Sequence, residues 1–235
     1  MTLKLATLLP NLTGGCAEHV ATNLAHALVD RGYSVDLIVL EARGALVGTV
    51  NPGVRVGNLN VKRVRSALLP PARYLRNTRP GAVLGNMWPL TVVALWARQL
   101  ARWPTRMVWG AHTTWSRSEL LERLAVGWQV RATMHRLFPK VDGIAAVSRG
   151  AADDLARFAN LDRKAVSVIY NAAMGAAKPR ASAPLAPAEW WTGPHSKVLL
   201  VSTLKRIKEH RAVRHAGARV LNLGAGQRRA ALGAR

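Results

Sequence analysis

The sequence predicts an α/β protein built on a doubly wound parallel sheet, followed by a small part of a second α/β lobe. Short apolar runs alternate with longer segments of helical periodicity through residues 3–171. Because parallel strands need crossover helices, this alternation favours a parallel sheet covered on both faces. Hydrophobic residues make up 49% of the 235 residues, enough for a full globular core.

The predicted elements follow one another in a regular order. The first strand spans 3–9, and apolar residues then recur at helical spacing over 17–28 until Gly32. Further strands are predicted at 33–42, 54–61, 82–88, 106–112, 141–148 and 166–171, with helices at 90–102, 117–137 and 149–159. A basic segment, KRVRSALLPPARYLRNTRP, lies between the third and fourth strands and is broken by Pro70 and Pro71.

Polar residues follow several of the predicted strands. In a doubly wound sheet, ligands bind in the crevice beyond the carboxyl ends of the strands. Those ends carry the segment Pro10 to Gly15, Asn86 with Trp88, His112 with Thr113 and Thr114, Ser148, and Asn171. We therefore expect one polar cleft at this edge of the sheet.

Two glycines, Gly14 and Gly15, separate the first strand from the first helix. Without side chains, their backbone N–H groups can approach a ligand closely, and the helix start adds a partial positive charge that favours phosphate. The same glycines also suit a plain tight turn. Glu18, in the first helical turn, is explained equally by the helix dipole and by a role in the cleft.

The charge is strongly basic, with 34 Lys and Arg against 12 Asp and Glu, a formal net charge of +22. This excess favours anionic partners: nucleic acid, acidic lipid or phosphorylated substrates. The single cysteine, Cys16, excludes an internal disulfide framework and a multi-cysteine metal site. The N-terminal segment is too short for a signal peptide, so a cytoplasmic protein is expected.

The chain changes character after residue 171. Residues 172–196 carry prolines and small residues without strand or helix period, which indicates a linker. An α/β pattern restarts in KVLLVSTLKRIKEH and RVLNLGAGQRR, but only 39 residues remain from Lys197. We therefore divide the chain into a domain at 1–171, a linker at 172–196 and the start of a second domain at 197–235.

Several of these segments together resemble the family 4 glycosyltransferases of the GT-B fold. The matching pieces are LPNLTGGCAEHVATNLAHALVDRGYSVDLIVL, AVLGNMWPLTVVALWARQLA, WGAHTTWSRS, VDGIAAVSRGAADDLARFANLD, VSVIYNA and TLKRIKEH. Such enzymes move a sugar from a nucleotide-sugar donor, such as a UDP- or GDP-sugar, to an acceptor that is often lipid-linked, with retention at the anomeric carbon. The resemblance implies transfer in cell-surface glycan synthesis without a cofactor. Such enzymes generally need no metal bound by paired aspartates, and the sequence offers no such pair, but metal dependence stays open.

The resemblance also implies roles for individual residues. His112 matches the histidine that faces the reacting sugar, although a lone histidine is often structural. Gly14 and Gly15 match a loop beside donor and acceptor, and Glu18 matches the acidic residue of that motif. Asn86, Thr113, Ser148 and Asn171 are expected to line the cleft.

The second domain offers two residues that match the donor site. Lys208 falls where the family places a lysine on the donor diphosphate, although a basic turn can also be merely solvated. Gly224 resembles the glycine turn of the next strand. The paired glutamates that family members carry late in this domain have no counterpart, because the last acidic residue is Glu209. We therefore expect a truncated donor domain, or a separate partner that supplies the missing half.

Three functional hypotheses remain open from the sequence: a glycosyltransferase, a non-catalytic remnant of one, or a basic nucleic-acid-binding protein. The third is the weakest, because no recognised nucleic-acid-binding signature is present. Between Glu41 and Glu119 lie twelve Lys and Arg and no acidic residue. With interleaved leucines this segment suits an anionic membrane surface, so we expect peripheral binding at the inner face of the plasma membrane, or else a solvated basic surface.

Overall fold

The computed structural model describes residues 3–62, 66–117, 127–171, 221–222 and 230–231. The chain divides into two compact units, Met1–Ala176 and Ala177–Arg235. In the second unit two short strands, β8 (Leu221–Asn222) and β9 (Ala230–Ala231), pair antiparallel. The linker 172–196, Lys208 and Gly224 lie outside the described residues, so these assignments stay predictions.

The first unit contains a seven-stranded, wholly parallel sheet, which confirms the predicted fold class. Its strands are β1 (Lys4–Leu9), β2 (Ser34–Val39), β3 (Val54–Asn58), β4 (Ala82–Gly85), β5 (Arg106–Ala111), β6 (Gly143–Ala146) and β7 (Val166–Val168). The strand order is β3-β2-β1-β4-β5-β6-β7. The order reverses between β1 and β4, and at such a switch point the two flanking loops separate to leave a crevice.

Five α-helices lie among the described residues: α1 (Cys16–Val29), α2 (Leu69–Thr78), α3 (Leu90–Ala101), α4 (Gly127–Leu137) and α5 (Arg149–Ala159). Four of them overlap the predicted helices. The segment that we expected to be broken by Pro70 and Pro71 instead contains α2. Both prolines lie in its first turn, where a backbone N–H has no partner within the helix, so they cost no hydrogen bond.

Alternating residues of the strands face opposite sides of the sheet and form separate clusters. On one side, Leu37 and Val39 pack with Ala21 and Ala25 of α1. On the other side, the interleaved strand residues pack against α2 and α3 in one cluster and against α4 and α5 in a second, which is centred on Trp109. These three apolar clusters fix the direction and register of the strands.

Helix α1 covers only part of its side of the sheet. It contacts β1, β2 and β3, whereas Leu84, Val108 and Ala145 on the following strands line an open cavity beside it. Within the described part of the chain, the other four helices contribute to the clusters on the opposite side. Among the described residues, no helix other than α1 covers this side of the sheet, and α1 leaves β4 to β7 open there.

Candidate functional site

The largest described cavity has a volume of about 410 Å³ and lies on the α1 side of the sheet. Its walls come from α1, from the carboxyl halves of β4, β5 and β6 with the residues that follow them, and from residues 169–171 after β7. Most of the lining is apolar, and its polar groups are the side chains of Asn23, Asn86, His112 and Asn171 and the hydroxyl of Tyr170. This size and composition suit a small organic ligand that is oriented by a few polar contacts.

The strand ends bring His112 and Asn86 together, as the sequence predicted for residues that follow β5 and β4. His112 Nε2 lies 3.1 Å from Asn86 Oδ1. Asn86 is only 3% exposed, and its Nδ2 donates a hydrogen bond of 2.7 Å to Thr7 Oγ1 on β1. His112 and Asn86 are thus bonded directly to each other, and Asn86 is held in turn by Thr7 on the neighbouring strand β1.

Burial lowers the pKa of His112 below its ordinary value of 6.5, because a partly desolvated imidazolium is disfavoured. The histidine is therefore neutral at pH 7. A neutral imidazole has one N–H donor and one lone-pair acceptor. Its Nδ1 is buried and has no hydrogen-bond partner among the described residues. One polar atom of the site is left for a group that the described chain does not supply.

Gly14 and Gly15 connect β1 to α1 as predicted. Gly14 has φ +98°, a conformation that glycine adopts without strain. Gly15 is the N-cap residue of α1, and no side chain caps the helix. A Cβ atom at Gly15 would collide with the Glu18 carboxylate, which is 7% exposed and folds back over the helix start. Both explanations of Glu18 survive, because the carboxylate faces the helix dipole and also lies in the loop of interest.

The remaining predicted cleft residues have different positions. Asn171 lines the cavity together with Ile169 and Tyr170, which are 63% and 65% exposed. Ser148 caps α5, and its Oγ accepts a hydrogen bond of 3.1 Å from Ala151 N, which gives the hydroxyl a structural task. Thr113 is half-buried directly after His112 and is not among the residues that line the cavity.

Sequence reasoning missed Thr7 and Gly110. Thr7 was only one residue of an apolar strand, and its partner Asn86 lies 79 positions away. Gly110 lies on β5, and a Cβ atom there would come within 3.0 Å of His112 Nε2 and 3.1 Å of Asn86 Oδ1. A glycine inside a strand is a signal of close approach by another group, so the sequence did contain a clue to this position.

Sheet order, crossover helices and a cleft at the carboxyl edge define the Rossmann-like domain of the GT-B fold. The sequence model of Glycosyltransferase Family 4 matches residues 13–173, more than half of the chain. The protein therefore belongs to this family, as the sequence resemblance implied. No curated protein matches the sequence significantly.

Three solved structures illustrate the similarity of fold. Anabaena Alr3699/HepE, solved with UDP-glucose, has a TM-score of 0.55 and 18% identity, covering 72% of this chain and 44% of its own. The lipopolysaccharide outer core galactosyltransferase WaaB has a TM-score of 0.54 and 14% identity, with coverages of 72% and 45%. A UDP-N-acetylglucosamine 2-epimerase from Rickettsia bellii has a TM-score of 0.51 and 12% identity, with coverages of 73% and 45%. This chain spans less than half the length of each of these structures.

Two further properties concern only the described residues. They include no group of three or more His, Cys, Asp or Glu side chains placed to hold a metal ion. None of the described helices has the length and hydropathy to cross a bilayer.

Proposed function

We propose that the protein takes part in transferring a sugar from a nucleotide-sugar donor to an acceptor, with retention at the anomeric carbon, and that the cavity at His112 belongs to the reaction site. The observation that carries this proposal is the convergence of Asn86, His112 and Asn171 on one cavity at the carboxyl edge of a family 4 domain. The complex of the similar HepE structure with UDP-glucose supports the donor class.

Within this proposal, neutral His112 bonds a sugar hydroxyl or positions the acceptor. The carboxylate of Glu18 lies at the uncapped start of α1, and its negative charge opposes a second anion there. The Gly14–Gly15 loop therefore favours hydroxyl groups of the acceptor or sugar over a phosphate. The diphosphate of the donor is then left to residues such as Lys208 and the Gly224 turn, or to a separate partner that carries the donor half.

The test combines binding and turnover. Purified protein is titrated with a panel of UDP- and GDP-sugars by calorimetry, and transfer to lipid and glycan extracts is followed with radiolabelled donors. We expect His112→Ala to lower transfer by about a hundredfold or more while the circular dichroism spectrum stays unchanged. His135→Gln, on α4 outside the cavity, is the matched histidine control. No donor binding and no transfer by the wild-type chain would contradict the proposal.

We further propose that α2 contacts an anionic membrane surface, which would place a lipid-linked acceptor of cell-surface glycan synthesis beside the cleft. Arg73 and Arg76 are exposed on this helix and Arg79 is exposed directly after it. The helix contains no acidic residue, and Leu69 at its start is 56% exposed. Each basic residue near such a surface contributes about 1 kcal/mol. A cytoplasmic protein held at the inner face of the plasma membrane follows from this proposal.

Vesicle sedimentation tests the membrane proposal. We expect binding to vesicles that contain an anionic phospholipid and none to purely zwitterionic vesicles. Replacing Arg73 and Arg76 by serine should weaken binding by about tenfold or more. The same double change at Arg131 and Arg136, exposed on α4, has equal net charge and serves as the control. Equal losses in both double variants would assign the effect to net charge and reject a role for α2.

A further inference from the structure

A continuous chain of hydrogen bonds runs beneath the cavity from the backbone of β4 to His112. Thr7 Oγ1 donates to Leu84 O at 3.4 Å, and Asn86 Nδ2 donates to the same Oγ1 at 2.7 Å. Asn86 Oδ1 then lies 3.1 Å from His112 Nε2. Thr7 and Asn86 are 5% and 3% exposed, so water does not compete readily for these bonds.

The chain has a fixed direction because its first acceptor cannot donate. The Leu84 carbonyl takes the single hydroxyl hydrogen of Thr7, which leaves the lone pairs of Oγ1 to accept from an amide N–H. In the structure the Asn86 amide accordingly presents its nitrogen to Thr7 and its oxygen to His112. An amide oxygen only accepts, so His112 Nε2 carries the hydrogen and Nδ1 carries the lone pair.

Gly110 supplies the space that this arrangement needs. It lies two residues before His112 on β5, and any Cβ atom there would press on both atoms of the His112–Asn86 hydrogen bond. Because Gly110 has no side chain, the imidazole of His112 and the amide of Asn86 can approach to hydrogen-bond distance. The space at Gly110 and the hydrogen-bond chain from Thr7 therefore both determine how His112 Nε2 meets Asn86 Oδ1.

We propose that Thr7 and Asn86 are positioning residues that hold His112 as the neutral Nε2–H tautomer, so that its Nδ1 lone pair accepts a hydrogen bond from a ligand hydroxyl. Two observations point to a ligand: His112 lines the cavity, and its buried Nδ1 has no hydrogen-bond partner among the described residues. The tautomer follows from the hydrogen-bond chain alone, whereas the hydroxyl ligand rests on the proposed function. In this arrangement the Nδ1 lone pair of His112 accepts a hydrogen bond from a sugar hydroxyl, while Nε2–H donates to Asn86 Oδ1.

Nitrogen-15 NMR of histidine-labelled protein reads the tautomer directly and requires no turnover. The signals of His112 are assigned by their loss in His112→Gln. We expect wild type at pH 7.5 to show the Nε2–H tautomer. Thr7→Val removes the group that orients the Asn86 amide, so a mixture of the two tautomers should replace the single form. An Nδ1–H tautomer in wild type would overturn the proposal.

Two further variants separate positioning from general loss of structure. Thr22→Val is the matched control, because Thr22 is 3% exposed and its Oγ1 has no partner among the described residues. It should leave the His112 signals unchanged. Asn86→Asp places a carboxylate against Nε2 and should extend protonation of His112 to higher pH. An unaltered His112 titration in Asn86→Asp, or an unaltered tautomer in Thr7→Val, would reject the positioning role.

Kinetics then test the link to the reaction. For a transferred sugar we expect Thr7→Val to lower kcat about tenfold, the equivalent of one hydrogen bond, with a smaller change in KM. Asn86→Asp should move the acidic limb of the pH profile upward, whereas Thr22→Val should behave as wild type. If the tautomer is as stated but no transfer occurs, the proposed function fails while the hydrogen-bond chain stands.

Discussion

Two groups of buried polar side chains lie on this sheet, and they differ in one respect. On β2, Asp36 is 1% exposed and accepts hydrogen bonds from Arg55 Nε at 2.9 Å, from Arg55 Nη2, and from Tyr74 Oη at 2.6 Å. In the other group, the hydrogen-bond chain from Thr7 through Asn86 ends at His112, whose Nδ1 has no partner in the described part of the protein. The Asp36 carboxylate is thus hydrogen-bonded within the protein, whereas His112 Nδ1 is left without a partner among the described residues.

This difference separates stability from function. Buried polar atoms are normally paired, since an unpaired one costs free energy. Burial alone would raise the pKa of Asp36, but the hydrogen bonds from Arg55 and Tyr74 hold the pKa below its ordinary value. Asp36 therefore joins β2, β3 and α2 as a stabilising charge. Among the described residues His112 makes one side-chain hydrogen bond, to Asn86, and it lines the cavity, so its second ring nitrogen is left for a ligand in the proposed site.

The largest effect is expected for removal of the buried charge of Asp36. Asp36→Ala leaves the Tyr74 hydroxyl without its buried acceptor and breaks the ion pair with Arg55, which is itself 57% exposed on its side chain. We expect the free energy of unfolding to fall by about 3 kcal/mol, at the low end for a buried pair because Arg55 can be solvated. Urea denaturation measures it. A loss below about 0.5 kcal/mol would show that the group does not stabilise the fold.

A second variant alters the packing around the hydrogen bond between Asn86 and His112. Gly110→Ala adds a Cβ atom 3.0 Å from His112 Nε2 and 3.1 Å from Asn86 Oδ1, so the hydrogen bond must lengthen. We expect a loss of about 1–2 kcal/mol in unfolding free energy, together with a mixed His112 tautomer. Gly143→Ala on β6 is the matched control, because its Cβ atom would lie 3.8 Å from Val108, an ordinary contact. Equal losses of stability and the same His112 tautomer in both variants would show that Gly110 does not provide the space for the His112–Asn86 hydrogen bond.

A smaller change among the partners of Asp36 is Tyr74→Phe. It removes one hydroxyl that donates to Asp36 while Arg55 stays in place. We expect a loss of about 1 kcal/mol in unfolding free energy. The acid transition should also move to higher pH, because Asp36 loses one of the hydrogen bonds that lower its pKa. An acid transition identical to that of wild type would show that the Tyr74 bond does not hold this pKa down.

The order of elements was predictable from the sequence because each apolar run carries its own period. The cleft residues Asn86, His112 and Asn171 were predictable because they follow strands, and parallel strands end at one edge. Ser148 caps α5, a role that a serine directly before a helical run also signals, and its expected place in the cleft stays a prediction. Lys208 and Gly224 fall outside the described residues and stay predictions.

The partners of each polar residue were not predictable in the same way. Thr7 meets Asn86 only because β1 and β4 are neighbours in the sheet, and no local pattern encodes that pairing. The same holds for Asp36 and Tyr74, which lie 38 positions apart on a strand and a helix. Helix α2 was missed because Pro70 and Pro71 were interpreted as breaks, although prolines in a first turn favour a helix start.

The smallest expected effect is a dependence of stability on pH that distinguishes the two groups. The folded pKa of His112 lies below the unfolded value of 6.5, so the unfolded chain binds more protons between these two values. Stability due to His112 is therefore complete above about pH 6.5 and is lost as the pH falls through the folded pKa, with a slope of at most about 1.4 kcal/mol per pH unit. The corresponding loss for Asp36 begins only below its unfolded value of 3.8.

Urea denaturation of wild type and His112→Gln between pH 4.5 and 8 isolates this contribution, because the other six histidines are common to both proteins. We expect the difference between the two free energies of unfolding to be constant above about pH 6.5 and to change as the pH falls, with wild type losing the greater share. Asp36, whose folded pKa lies below 3.8, stays ionised in this interval. A pH-dependent difference between the two proteins is therefore due to His112. A difference that stays constant down to pH 4.5 would mean that His112 is not desolvated, and that the two groups differ less than their hydrogen bonds indicate.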